Sequence, residues 1–237
     1  MKKIIAATLC LASFATANES ADRLVTHTEL GYIQTQGNTQ TELFNLDAKA
    51  KKPFDVHVFA LSIEAQYGKE GSLETKNKFL SELTYDYEFT EHFALGYLLG
   101  FKQDKFSSYN NQFYTGPYAA YKIIKTKAHS LTSDAGLLFA RDDMRTTPSA
   151  VDEYVAYRVK GVYNWAIYEN LKFDQSLTYR GSFEKSDNYF VTSKSALTNK
   201  ISDILSAGVS YKIDYVNMPG LKEYTDSTFT ANLIIDY

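Results

Sequence analysis

The chain has 237 residues, a formal net charge of -3, and acidic and basic residues interspersed along its length. Because it has no basic tract, we do not expect it to bind nucleic acid. Its 19 Tyr and 15 Phe beside one Trp and four Pro favour pleated strands and water–lipid boundaries.

Residues 1–17 are expected to be a secretory signal peptide, which leaves residues 18–237 as one mature domain. Two lysines precede an apolar run at 4–14, and small residues follow it, an order that is typical of such peptides. The run is well short of the ~20 residues that a spanning helix needs. Cys10, the only cysteine, lies within this peptide, so we expect no disulfide and no thiolate metal site.

Apolar and polar residues alternate with a period of two along the rest of the chain, which indicates strands with one apolar face. We therefore expect an all-β fold, an antiparallel transmembrane β-barrel of about twelve strands. Twelve segments follow the pattern, at 24–36, 39–51, 56–68, 76–89, 93–103, 112–123, 129–141, 152–165, 171–183, 189–200, 204–215 and 225–237.

The connections between these segments alternate in length. Short turns are predicted at 53–55, 90–92, 125–128, 166–170 and 201–203, whereas longer polar loops are predicted at 104–111, 142–151 and 216–223. Bacterial outer-membrane barrels have short periplasmic turns, longer outer loops and an even number of strands. The pattern thus predicts a bacterial outer-membrane location with both termini in the periplasm, and outer-membrane lipid as a partner.

Segment length favours a membrane barrel over a soluble one. Soluble strands usually have five or six residues and a tilted spanning strand needs about nine to eleven, and the segments here are of the longer kind. Aromatic residues such as Phe93 and Phe101 lie at segment ends, as in the girdles of membrane barrels. A soluble, lipocalin-like barrel is the alternative.

The two faces of the predicted wall differ in charge. We expect apolar residues such as Leu95, Leu99, Val209 and Leu233 to face lipid and Ser210 to face water. The polar face carries ten bases and seven acids, which a wet lumen can hold and a dry core cannot. These candidates for the lumen are Asp47, Lys49, Glu64, Lys78, Glu82, Asp86, Lys102, Lys122, Asp134, Arg158, Lys160, Lys172, Asp174, Arg180, Lys194, Lys212 and Asp214.

Proline and glycine inside the segments predict local adjustments. Pro117 cannot donate to a strand ladder, so we expect a bulge at Gly116–Pro117. Glycines at five other strand positions are expected to leave room for neighbouring side chains. They are Gly96, Gly100, Gly136, Gly161 and Gly208.

The stretch 31–39, Gly-Tyr-Ile-Gln-Thr-Gln-Gly-Asn-Thr, resembles the opening hairpin of the salt-induced outer-membrane protein family, a domain family of unknown function. The resemblance implies an outer-membrane barrel and no known activity. Its Gly37, Asn38 and Thr39 fit a tight turn, because glycine and asparagine tolerate a positive φ. The apolar, aromatic C-terminal strand also resembles the signal read by the barrel assembly machinery, which is therefore an expected partner during biogenesis.

No arrangement of residues in the sequence predicts catalysis. A serine nucleophile needs an activating base, and none of His27, His57, His92 and His129 lies in such a pattern. Asp142 and Asp143 are predicted to be a solvated acidic pair in an outer loop. No enzyme activity, cofactor or metal is therefore expected.

The remaining function classes are transport and envelope structure. Twelve strands fall between filled eight-stranded barrels and open sixteen-stranded porins, so a narrow passage for small polar solutes or ions is predicted. The nearly balanced inward charges predict weak ion preference. The alternatives are a non-conducting barrel with a structural or stress-adaptive role and, less favoured, an outer-membrane enzyme.

Overall fold

A computed structural model describes residues 23–35, 40–145, 150–217 and 225–237. The expected signal peptide and the expected turn at Gly37, Asn38 and Thr39 lie outside these residues, and so those expectations stay predictions.

The described residues form a closed antiparallel barrel of twelve strands, so the predicted fold class is confirmed. Each strand pairs with its neighbours in sequence, and the first pairs with the last. The strands are β1 (Val25–Thr35), β2 (Thr41–Phe54), β3 (His57–Glu70), β4 (Leu73–Glu88), β5 (Phe93–Asp104), β6 (Tyr109–Lys125), β7 (His129–Met144), β8 (Ala150–Ala166), β9 (Leu171–Ser182), β10 (Tyr189–Lys200), β11 (Leu205–Asn217) and β12 (Thr225–Asp236).

Side chains alternate between the two faces of the wall, as a strand requires. In β5, Leu95 and Leu99 are exposed on the outside, whereas Ala94 and Leu98 are buried inside. The same alternation runs through the other strands, so the barrel has an apolar outer surface and a largely polar interior. Leu95, Leu99, Val209 and Leu233 are each 41–47% exposed, as expected for residues that face lipid.

The terminal end of the barrel, where β1 begins and β12 ends, carries connections of two to four residues. At the opposite end, which we call the loop end, connections reach seven residues but are shorter than predicted at two positions. The β5–β6 and β7–β8 connections span only 105–108 and 145–149 because β6, β7 and β8 extend to 16 or 17 residues.

Asp142 shows why these strands continue further than predicted. The prediction of a solvated Asp142 is wrong, because this residue lies within β7 and is 0% exposed. Its carboxylate accepts hydrogen bonds from Gln112 Nε2 at 3.0 Å and Tyr154 Oη at 2.8 Å. These bonds satisfy the buried group and tie the loop-end segments of β6, β7 and β8 together.

Aromatic side chains surround the outer wall near both ends. At the loop end, Tyr157, Tyr179, Tyr189 and Tyr215 stack in a row across β8–β11, with ring centroids 5.6–5.8 Å apart. At the terminal end, three histidines pack on tyrosine rings: His57 on Tyr85, His92 on Tyr121 and His129 on Tyr163. Aromatic belts at two levels are the arrangement found where a barrel wall meets two lipid boundaries.

The bulge predicted at Gly116–Pro117 is wrong. The β5–β6 register runs regularly through both residues, and the β6–β7 ladder lacks pairs there but resumes in the same register. The register shifts of β6 lie elsewhere, at Tyr109/Asn111 and Lys122/Ile124. A Cβ on Gly116 would lie 2.1 Å from the backbone oxygen of Leu137, so a close approach of two backbones replaces the expected bulge.

Candidate functional site

The barrel interior is the candidate site, and it contains a cavity of about 470 Å³ lined by residues of nine strands. All seventeen charged candidates lie on the inward-facing side of their strands. Twelve of them line this cavity, namely Asp47, Lys49, Glu64, Lys78, Glu82, Lys102, Arg158, Lys160, Arg180, Lys194, Lys212 and Asp214. The other five do not, and they are Asp86, Lys122, Asp134, Lys172 and Asp174.

One side of the interior is closed by ion pairs between strands that are not neighbours. Lys194 on β10 donates to Glu29 on β1 at 3.0 Å and to Asp47 on β2 at 2.7 Å. Lys212 on β11 pairs with Glu64 on β3 in the same way. Because each pair spans several strands, these side chains fill the lumen beside β1, β2 and β12 and reduce its width.

A fourth pair, between Lys78 on β4 and Asp214 on β11, crosses the lumen from nearly opposite walls. Thr192 also donates to Asp214, at 2.8 Å. Buried charges are tolerated when they are paired and hydrogen-bonded, and this aspartate meets both conditions.

The other side of the interior, along β5–β8, is filled by apolar and aromatic side chains. The buried members of this cluster are Leu98, Tyr114, Tyr118, Leu138, Ala140, Tyr154 and Ala156. The lumen is therefore not a uniform water-filled tube. The cavity lies between the apolar cluster and the ion pairs.

Two tyrosines of this cluster reach across a neighbouring strand to carboxylates. Tyr114 on β6 donates to Glu82 on β4 at 2.7 Å, and the residue between them in the register is Gly100 on β5. Tyr118 donates to Asp86 at 2.5 Å, again across a glycine of β5. The glycines make room, since a Cβ on Gly100 would lie 2.1 Å from the Tyr114 ring.

The cavity itself is rich in positive charge. Its lining includes nine bases and four acids, Asp47, Glu64, Glu82 and Asp214, and so the near-balance of the seventeen candidates does not hold along it. Each acid already has a cationic partner within 4.0 Å. Lys51, which was not among the predicted lumen residues, is one of the nine bases. Its position in the alternation, on the same face as Lys49, would have identified it.

The histidines do not form a nucleophile–base pair in the described ranges. His27 lies between two carboxylates, with Nδ1 2.6 Å from Asp236 and Nε2 3.1 Å from Glu29. Because Asp236 is on β12, this contact bridges the seam that closes the barrel. The sequence alone does not indicate this cluster, because Asp236 comes from the opposite end of the chain to His27 and Glu29.

Among residues 23–35, 40–145, 150–217 and 225–237, no group of three or more His, Cys, Asp or Glu could hold a metal ion. The same residues contain no helix long and apolar enough to cross a membrane.

Solved outer-membrane barrels share the fold of this chain, and two of them illustrate the likeness. An outer-membrane channel from Pseudomonas putida F1 gives a TM-score of 0.54 at 9% identity, covering 92% of this chain and 96% of the channel. The translocator domain of the autotransporter NalP from Neisseria meningitidis gives 0.52 at 9% identity, covering 93% and 89%. At this identity the likeness concerns the fold alone, which is that of outer-membrane barrels.

Sequence comparison assigns the family. No curated protein matches the chain significantly. Residues 28–237 match a family described as a protein of unknown function, DUF481. The expectation of an uncharacterised family is thereby confirmed, whereas the salt-induced designation stays a prediction. The chain belongs to the DUF481 family.

Proposed function

We propose that the protein spans a bacterial outer membrane and lets small polar solutes or ions pass through a narrow lumen. The observation that carries this proposal is the charged cavity of about 470 Å³ inside a closed barrel. A dry core cannot accommodate nine bases and four acids, but a hydrated interior can.

The outer surface supports the membrane location. Large apolar side chains are exposed on every strand from β1 to β12, and a soluble protein rarely exposes contiguous apolar patches of more than a few hundred Å². Hydrocarbon covers such a surface without cost, and the aromatic rows near both ends suit the two lipid boundaries.

The length of the cavity supports passage along the barrel axis. Its lining begins near the loop end with Gln112 and Phe190 and continues toward the terminal end to Lys51 and Ala60. The ion pairs on one side and the apolar cluster on the other restrict its width. Small solutes therefore fit this lumen better than large ones.

The cross-lumen pair Lys78–Asp214 favours a second candidate, a barrel that its own side chains hold shut. In that case the protein would have a structural role in the envelope. The two candidates differ in one measurable property, the conductance of the folded protein.

Planar bilayers provide the test. The purified protein is first shown to be folded by a gel mobility that changes on boiling in dodecyl sulfate. We expect discrete single-channel currents in potassium chloride from folded protein, and larger currents from Lys78→Ala, which removes the cross-lumen pair. Absence of current from folded wild type, together with current from Lys78→Ala, would contradict passage and support the closed barrel.

A further inference from the structure

We propose that Arg180 and Lys102 form an anion-binding site within the lumen cavity, and that a planar carboxylate is the group that fits it best. The inference deepens the proposed function, but binding is measurable whether or not the lumen conducts. Among the described residues, four cavity bases have no carboxylate oxygen within 4.0 Å. They are Lys51, Lys102, Lys160 and Arg180.

Arg180 is the most enclosed of these four bases. The residue is 7% exposed, and its guanidinium carbon lies 4.3 Å from the ring centroid of Phe190 and 4.6 Å from that of Tyr114. Aromatic faces stabilise a cation only in part, and the guanidinium edge carries five N–H donors. Within the described chain, no hydrogen-bond acceptor of the protein uses these donors.

The acid that acts on Arg180 from a longer distance is Asp142. Its two carboxylate oxygens already accept hydrogen bonds from Gln112 and Tyr154. A buried arginine usually needs a hydrogen-bonded anion as a partner. No carboxylate of the described residues lies within hydrogen-bond distance of Arg180, which lines the cavity, so its donors have no protein acceptor there.

Lys102 adds a second positive charge to the same cavity. It interacts electrostatically with Arg180 and Lys78, which are both cations, and with Asp214 and Asp104. Asp214 is already engaged by Lys78 and Thr192. Two like charges thus share an enclosed space in which a small anion would relieve their repulsion.

The chemistry of the two bases indicates which anion fits. A guanidinium binds a carboxylate through two parallel hydrogen bonds, whereas an ammonium acts as a point charge. A cavity of about 470 Å³ lies within the range of small-ligand sites, roughly 300–1,000 Å³. The pair is therefore suited to one carboxylate group on a small molecule.

Chloride-35 line broadening tests binding in detergent without any need for conduction. Folded wild-type protein is expected to broaden the chloride resonance, and acetate is expected to reverse the broadening at lower concentration than phosphate does. The variant Arg180→Gln with Lys102→Gln is expected to lose most of the broadening. The control Arg141→Gln removes an exposed arginine on the outer wall and is expected to behave like wild type.

A second variant keeps the charge and changes the geometry. Arg180→Lys is expected to retain chloride broadening but to weaken competition by acetate by about five-fold, because the bidentate contact is lost. Full broadening from the folded double variant, or equal competition by acetate in Arg180→Lys and wild type, would overturn the inference. If the folded protein broadens the chloride resonance but gives no current in bilayers, the proposed passage of solutes is contradicted and the anion-binding site is not.

Discussion

Tyr114 donates its hydroxyl to Glu82 at 2.7 Å across Gly100, the residue that separates them in the strand register. The same arrangement recurs four residues away on each strand, with Tyr118, Gly96 and Asp86. On β4, β5 and β6 the acid, the glycine and the tyrosine therefore act as one unit. The missing side chain on β5 is what allows the ring to lie against the wall.

Replacing Gly100 by alanine should destabilise the barrel by about 1–3 kcal/mol, because the new Cβ overpacks the site. It would lie 2.1 Å from the Tyr114 ring. The measurement is the urea midpoint of unfolding in detergent. Gly161→Ala is the matched control, since no atom lies within 4 Å of its added Cβ. Equal midpoints for the two variants would show that the ring does not depend on the glycine.

Arginine at Leu99 or Val209 should cost roughly 2–4 kcal/mol near the bilayer midplane, because these side chains face lipid, and arginine at Leu95, near the start of β5, should cost less. Folding yield in vesicles, followed by gel mobility, reports the loss. Ser62 lines the cavity, with Lys49 and Glu82 as its register partners, and arginine there should be tolerated because its side chain would enter a hydrated lumen rather than lipid. If arginine were tolerated at Leu99 and not at Ser62, the faces would be inverted.

Ser210 lies on the inward face, as expected, and lines a small polar cavity. It is 4% exposed and hydrogen-bonds with Thr230 at 3.0 Å and Asn232 at 3.2 Å. The position is therefore packed rather than open to the main lumen. Arginine at this position should now be destabilising as well, since it would displace a packed polar network.

The seam between β1 and β12 should be a weak part of the wall, because its register covers five residue pairs, from His27 to Gly31 on β1, extended by one pair of backbone hydrogen bonds between Thr26 and Tyr237. Removing the His27 side chain breaks its contacts with Asp236 and Glu29. We expect His27→Ala to lower stability by about 1 kcal/mol, since the ring is partly exposed. Amide exchange in β1 and β12 should accelerate selectively. His92→Ala, in a turn, is the control, and an equal effect of both changes would argue against a clamp at the seam.

The strands and their two faces were predictable because alternation is a local property of the sequence. For the same reason, the inward orientation of the charged side chains could be predicted from their position in the alternation, and this includes Lys51. Of the five strand glycines expected to leave room, Gly96 and Gly100 lie under tyrosine rings, whereas Gly161 has open space around it.

The contacts inside the lumen were not predictable in this way. Lys78 and Asp214 are 136 residues apart in the chain, and Lys194 and Glu29 are 165 apart. Their pairing depends on barrel closure and on strand stagger, which alternation does not specify. The predicted ends of β6, β7 and β8 were wrong for a related reason. Asp142 is polar, but partners from two other strands bury it.

Cysteine accessibility tests directly whether a lipid-facing wall encloses a hydrated passage, because the predicted mature chain has no cysteine. Single cysteines are placed at Ser62, Thr84 and Ser176, which line the cavity, and at Leu99 on the outer wall. Folded protein in vesicles is then treated with a small, membrane-impermeant thiol reagent.

We expect the three cavity cysteines to react whichever side of the membrane receives the reagent, and the cysteine at position 99 to stay unreactive. Reaction at position 99 with protection at all three cavity positions would contradict both the assignment of the faces and the existence of the passage.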